Sequence, residues 1–492
     1  MRLLRRMGFI ITAAVVSSAH VGSPDAWYEG AAGPYTVLVH IEAPPVVPGI
    51  AVVNVKPPES GVHRLTAFVN TYDATGGTPP PDELQPASDR PGWWRARLWV
   101  MHAGSNSVTI AVYGASGEGS VVVPLSAVAQ RRLTFSAPLI ALMITVAGVL
   151  FAGMLTFVGA AAREGALELG AVPDVQRHRR ARQAMARAAV VIVIVLTLTG
   201  AWWRAEDRAF RERLYRPLSI STRADTSGGD ARLVLTIDDS TWLRRDDVAL
   251  LRARGELPMS GLVEDHGKIM HLFLIAEDGQ RAMAHLHPRT ADTVTFTSAL
   301  PPLPAGGYRV FADIVHLNGF TQTLTSSVVV PAGSAQQGEM TDPDDSWAAA
   351  TMAGADGRVH LQDGTSLTWL RDGGRAIPAG EEAGLRFAIE RAAGDTASLE
   401  SYLGMPGHAA VVRQDGQVFI HLHPMGTISP SAQARLSRQA AHPPAHAATA
   451  GQPPRDSLYF PYAFPAAGRY TIWVQLRRRG LVLTASFVAL VE

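Results

Sequence analysis

Two pairs of apolar runs, each split by a short polar turn, recur in the second half of the chain and end in the same four residues. The first is His271-Leu-Phe-Leu-Ile-Ala, then Glu277-Asp-Gly-Gln-Arg, then Ala282-Met-Ala-His285-Leu-His287-Pro288. The second is His408-Ala-Ala-Val-Val-Arg, then Gln414-Asp-Gly-Gln, then Val418-Phe-Ile-His421-Leu-His423-Pro424. Asp-Gly between two apolar runs predicts a hairpin, because both turn residues must tolerate positive φ. Alternation along a strand puts both histidines of each His-x-His on one face, and the turn brings the leading histidine back opposite them. Each hairpin therefore gathers three imidazoles.

The rest of the chain frames these hairpins. Residues 1–19 read as a secretory signal: Arg2, Arg5 and Arg6, then the apolar stretch Phe9 to Val16, then Ser17-Ser18-Ala19 as a small-residue cleavage site. Cleavage there would make His20 the first residue, offering an amino group and an imidazole to one ion. Residues 20–130 carry short alternating runs such as Tyr35 to Ile41 and Trp94 to Val100, parted by Pro/Gly-rich turns, and predict a β-sandwich. Residues 133–162 hold no charged residue and predict a transmembrane helix. A second such helix is expected over 183–203, ending in Trp202 and Trp203 at the membrane interface. The Arg-rich loop 163–182 between them is expected in the cytoplasm. With an exported N-terminus, everything after the second helix is then expected outside the inner membrane, in the periplasm.

Residues 217–331 and 357–492 share one order of marks: leading His, Asp-Gly, His-x-His-Pro, a Pro-Ala turn with Gly, and a closing hairpin. They read as tandem β-sandwiches joined by a linker at 332–356. The second carries an insertion, 431–457, rich in Ala, Gln, Pro and His and expected to be disordered.

Composition narrows the chemistry. Net charge is +1, and no basic run is interleaved with aromatics, so nucleic acid is not an expected partner. There is no cysteine, which excludes disulfides and thiolate metal sites. Eleven of the 16 histidines lie between His266 and His446. Gathered neutral imidazoles suit copper or zinc, and neighbouring thioethers favour copper. The expected ligands are His271, His285 and His287 in the first copy and His408, His421 and His423 in the second. His20, His266, Met270, His316, Met405 and Met425 stand as weaker candidates, and Asp265 as a residue that orients an imidazole. His442 and His446 read as solvated. His40, His63 and His102 are scattered in the first domain and read as surface or packed residues. No nucleophile elbow, phosphate loop or zinc-protease helix is present, so catalysis is not expected.

Two blocks resemble known proteins. Ala19-His20-Val-Gly-Ser-Pro-Asp with Glu29-Gly-Ala-Ala-Gly-Pro-Tyr resembles the start of bacterial membrane proteins of the YtkA-like and CopC-like groups. Met270 to Ile275 with Ala284 to Pro288 is similar to a motif of periplasmic proteins associated with copper and heavy-metal efflux. The resemblance implies immunoglobulin-like β-sandwiches of CopC or cupredoxin type, with copper held by histidines including the mature N-terminal one, here His20. The second copy departs from the motif, with Gly407 before His408 and a hairpin one residue shorter.

The resulting expectation is a mainly β protein of three immunoglobulin-like sandwiches, with a two-helix transmembrane hairpin between the first and second. Its expected partners are the lipid bilayer and a cuproenzyme or metal-efflux component, and its expected role is copper tolerance or delivery. A cell-envelope scaffold with packed, metal-free histidines is the rival reading. A copper-dependent oxidase is a further one.

Overall fold

The computed structural model describes residues 20–21, 25–58, 61–72, 79–130, 134–227 (except 166, 169 and 213), 231–238, 261–333, 340–371 (except 341, 352 and 354–356), 376–439 (except 393) and 456–492. The expected signal segment and both His442 and His446 lie outside the described residues. The chain is mainly β and divides into two compact units, residues 129–216 and the remainder.

The smaller unit is two helices, α1 (Ala137–Glu164) and α2 (Val175–Glu212). Pro in the first turn starts α1. Asp174 starts α2 by accepting from the Arg177 amide at 2.7 Å. Gly159 lets Met185 approach: a Cβ there would stand 2.7 Å from the Met185 sulfur. Both helices are long and apolar enough to cross a membrane. The second starts earlier and ends later than its apolar run, because arginine is a good helix former. Half of the expected Arg-rich loop is thus helical, and the connection shrinks to the residues between Glu164 and Val175.

Among the described residues, the larger unit holds three pairs of sheets. In residues 26–127 a five-stranded sheet (Ala26–Ala32, Tyr35–Glu42, Gly49–Lys56, Trp94–Val100, Gln85–Pro86) faces a four-stranded one (Gly117–Ala127, Gly104–Gly114, Val62–Thr71, Asp82–Glu83). Alternate residues such as Val37, Val39, Val53, Ile110 and Val123 meet between them as the core.

Six strands carry the site. The first copy supplies β1 (His271–Ala276), β2 (Ala282–Leu286) and β3 (Gly306–His316). The second supplies β4 (His408–Arg413), β5 (Val418–Leu422) and β6 (Gly468–Arg478). In each triple the strand with the leading histidine runs antiparallel between the other two. Beyond β3 and β6 lie the equivalent strands Thr321–Val330 and Leu481–Val491. The opposite edges differ. Ser346–Ala349 pairs antiparallel with β2, and His20–Val21 pairs parallel with β5, His20 opposite Val418.

Every residue of β1, β2, β4 and β5 is buried. One face of each sheet covers its own copy's core, and the other packs on the other copy, which is why these strands read as continuous apolar runs rather than alternating ones. The contact joins Phe273, Ile275, Met283 and Phe311 to Ala410, Val412, Phe419 and Trp473. By strand register these are the same four positions in each copy. The contact is therefore built like an isologous dimer within one chain.

Three expectations change. Part of the linker is structured: Ser346–Ala349 extends the first copy's sheet. Part of the insertion is a helix, Pro430–Gln439, whose Ala432 and Leu436 are buried. Ser429 starts it, its hydroxyl accepting from the Ala432 amide at 3.1 Å, with Pro430 in the first turn. In the first hairpin positive φ falls on Gly279 and Gln280 rather than on Asp278, and in the second on Gly416.

Candidate metal centre

Strand alternation aims His271, His285 and His287 to one face of the first copy's sheet, and His408, His421 and His423 to the same face of the second. In each trio one nitrogen per ring lies within 4.8 Å of the other two, so each could hold a metal ion. All six side chains are buried, from fully (His285) to 9% exposed (His421).

The hydrogen bonds fix which nitrogens converge. A neutral imidazole has one N–H and one lone pair. His271 Nε2 is 3.2 Å from the Asp265 carbonyl oxygen, which can only accept. His285 Nδ1 is 2.9 Å from Gln475 Oε1, and His287 Nδ1 is 2.9 Å from Asp345 Oδ1. The N–H groups therefore point outward. The remaining nitrogens, His271 Nδ1, His285 Nε2 and His287 Nε2, turn lone pairs toward one another. His271 Nδ1 and His285 Nε2 are 3.2 Å apart, and His287 Nε2 has no hydrogen-bond partner.

The second trio repeats this atom for atom. His408 Nε2 faces the Tyr402 carbonyl at 3.2 Å, His421 Nδ1 lies 3.4 Å from Asp313 Oδ2, and His423 Nδ1 donates to the Ile428 carbonyl at 3.1 Å. His408 Nδ1 and His421 Nε2 are 3.2 Å apart, and His423 Nε2 has no hydrogen-bond partner. Two lone pairs at that distance repel unless a cation sits between them. Nitrogens on a tetrahedral ion at about 2.0 Å would be about 3.3 Å apart.

Burial is the largest cause holding these rings neutral, with neighbouring imidazoles adding to it. His271 is pushed down to about 4, His423 to about 3, and His285, His287, His408 and His421 well below the ordinary value. Burial also raises the carboxyls of Asp313 and Asp345 to about 7. Neutral rings keep a lone pair ready for a metal without first losing a proton.

His266 joins the cluster from the first copy, its ring 5.0 Å from His423 and 5.2 Å from His408. One of its nitrogens lies within 4.8 Å of a nitrogen of His423 and an oxygen of Asp265. Asp265 is the residue expected to orient an imidazole. It orients His271 through its main-chain carbonyl, while its carboxylate accepts from the Ser431 amide at 3.1 Å. His316 is buried beside Phe320, ring to ring at 5.9 Å, and joins neither trio. Met270 is buried, Met405 closes a turn on Tyr402, and Met425 packs against the core of the first β-domain. His40 stacks on Trp27 at 4.1 Å. The residues around the trios that escaped sequence reading are Gln475, Asp313, Asp345 and Tyr402. The only signal was the acidic run Asp342-Pro-Asp-Asp, read as linker.

A family described as "Domain of unknown function (DUF8832)" matches residues 229–332 and 360–492, just under half of the chain, so both histidine copies are similar to it. No curated protein matches. Among solved structures, a crystal structure of an engineered protein is 23% identical over 18% of this chain and 20% of its own, with a TM-score of 0.15. A tetra-tandem repeat from the extending region of a large adhesion protein is 10% identical over 91% and 71%, at 0.15. Salmonella alpha-2-macroglobulin reacted with methylamine is 8% identical over 96% and 23%, at 0.19. This chain thus spans a fifth of the engineered protein and under a quarter of the macroglobulin.

Proposed function

We propose that this protein is a membrane-anchored metal-binding protein whose β-domains stand in the periplasm, and that copper is its metal. The role is copper tolerance or hand-over to a cuproenzyme, as the likeness to YtkA-like and CopC-like proteins implies, with sandwiches of the immunoglobulin type. One observation carries the metal reading. In both trios every outer nitrogen faces an oxygen, which leaves three inward lone pairs with nothing to accept from. Packed, metal-free histidines would pair donor with acceptor.

Copper stands ahead of zinc because an imidazole set binds Cu(II) more tightly than Zn(II). The two apolar helices supply the anchor, and the outside location follows from reading residues 1–19 as an export signal.

Metal titration of the purified full-length protein tests this. Cu(I), Cu(II) and Zn(II) are compared in the wild type and in variants with His271, His285 and His287, or His408, His421 and His423, changed to Ala. Tight stoichiometric binding lost trio by trio is the expected result. Binding no tighter than a surface histidine pair gives, unchanged in the variants, would return the chain to the scaffold reading.

A further inference from the structure

The two trios are not separate. Within a trio the ring centroids are 4.6 to 5.4 Å apart. Between trios, His271 and His421 are 5.2 Å apart and His285 and His421 are 5.5 Å apart. The cross-copy spacing is thus that of neighbours in one cluster.

Each trio is also finished by the other copy. His285 Nδ1 donates to Gln475 on β6 of the second copy, and the Tyr402 hydroxyl stands 3.2 Å from the same nitrogen. Conversely, His421 Nδ1 faces Asp313 on β3 of the first copy. Gln475 and Asp313 hold the same register position, opposite His408 and His271. Gln475 is itself fixed, its amide donating to the Ser346 hydroxyl at 2.6 Å. A metal-bound imidazole keeps its orientation through its outer N–H, so a change in that partner is felt at the metal.

We propose that the two trios form one binuclear centre, taking two late first-row cations, each ligated by one copy and oriented by a side chain of the other. With metal–nitrogen bonds of about 2.0 Å and the ring spacing above, the ions stand no more than about 12 Å apart. The proposal rests on the metal-binding reading of each trio. It adds that the sites are occupied together and sense each other.

Full-length protein in detergent, titrated with Cu(II) and followed by metal analysis and electron paramagnetic resonance, decides this. Two equivalents per chain are expected, with an isolated-ion spectrum at low loading that broadens or disappears by coupling as the second equivalent enters. His287→Ala and His423→Ala should each bind one equivalent and keep the isolated spectrum at saturation. Should either variant fail to fold, the half-loaded and fully loaded wild type supply the same comparison.

Gln475→Leu should weaken the first trio by about 10–100-fold and leave the second trio's own ligands in place. Gln475→Glu, which keeps an acceptor, should restore most of that loss. Two equivalents with isolated spectra throughout, and a Gln475→Leu protein that binds like wild type, would overturn the binuclear proposal and leave the metal reading standing. A single equivalent at saturation would do the same. No bound copper at all would overturn both.

Discussion

His266 and Leu403 occupy the same place in the two copies. Each precedes a glycine, Gly267 or Gly404, and each holds φ in the left-handed region, at +55° and +52°. The backbone is repeated and the side chain is not. The His266 ring donates to the Leu403 main-chain carbonyl, which leaves its Nε2 buried with no hydrogen-bond partner beside the second trio. His266→Leu should therefore fold, since the other copy carries leucine in this conformation. It should weaken metal retention at the second trio by about tenfold and spare the first, as read by competition with a chelator in each single-trio background. Equal effects on both trios would refute this asymmetry.

Acid should destabilise the metal-free protein. The six trio histidines have folded values held below the unfolded value of about 6.5. As pH falls through 6.5 the unfolded chain takes up protons that the folded chain refuses, so stability present above that point is lost on the way down to the folded values. Asp313 and Asp345, raised to about 7, act in the opposite sense, gaining protons in the folded state first. Six groups outweigh two. The urea midpoint of metal-free protein should drop between pH 7.5 and pH 5, and a midpoint that stays level or rises would contradict the neutral, buried trios.

Arg478 anchors the second copy away from the histidine cluster. Its guanidinium is 1% exposed and meets Asp363, Thr365, Asp395 and the Ala397 carbonyl. Arg478→Met would leave the nearly buried Asp363 without its cation and Asp395 with Arg479 alone, and should lower the unfolding midpoint of the second copy by about 5 °C or more. Calorimetry of the full chain reads this directly, with the metal stoichiometry as a control.

Gly426 joins the first β-domain to the second copy. Its φ is +119°, and a Cβ there would stand 2.1 Å from the Trp27 carbonyl oxygen. Around it, Thr427 accepts from the Trp27 amide at 2.9 Å and Met425 accepts from Glu29 at 2.9 Å. Gly426→Ala should loosen this junction and speed proteolysis near residues 25–30 several-fold, while metal binding by the first trio persists. A cleavage pattern identical to wild type would show that the junction tolerates the methyl group.

The trios were legible in the sequence because their information is local. His-x-His on one strand, a short turn and a leading histidine suffice to bring three rings together. The mainly β character and the two apolar helices were legible for the same reason, as periodic patterns. The joining of the trios was not, since it depends on which face of each sheet meets the other. Phe273, Ile275, Met283 and Phe311 read as ordinary core residues until their counterparts are found opposite them. Gln475 and Asp313 sit on β6 and β3, far along the chain from the rings they touch. Ser346–Ala349 reads as linker because four residues are too few to show a period.

The near-complete burial of the trios would set the pace at which a bound ion comes and goes. His285 is fully buried, and the lids over the cluster are whole β-sheets locked by Phe273, Phe419 and Trp473. On the proposed metal-binding reading, passage of an ion through those sheets would wait for the copies to part, so the off-rate would be clocked by that opening and not by the strength of any one metal–nitrogen bond. On that reading the protein would behave as a vault with a slow latch, keeping its contents until the two halves part.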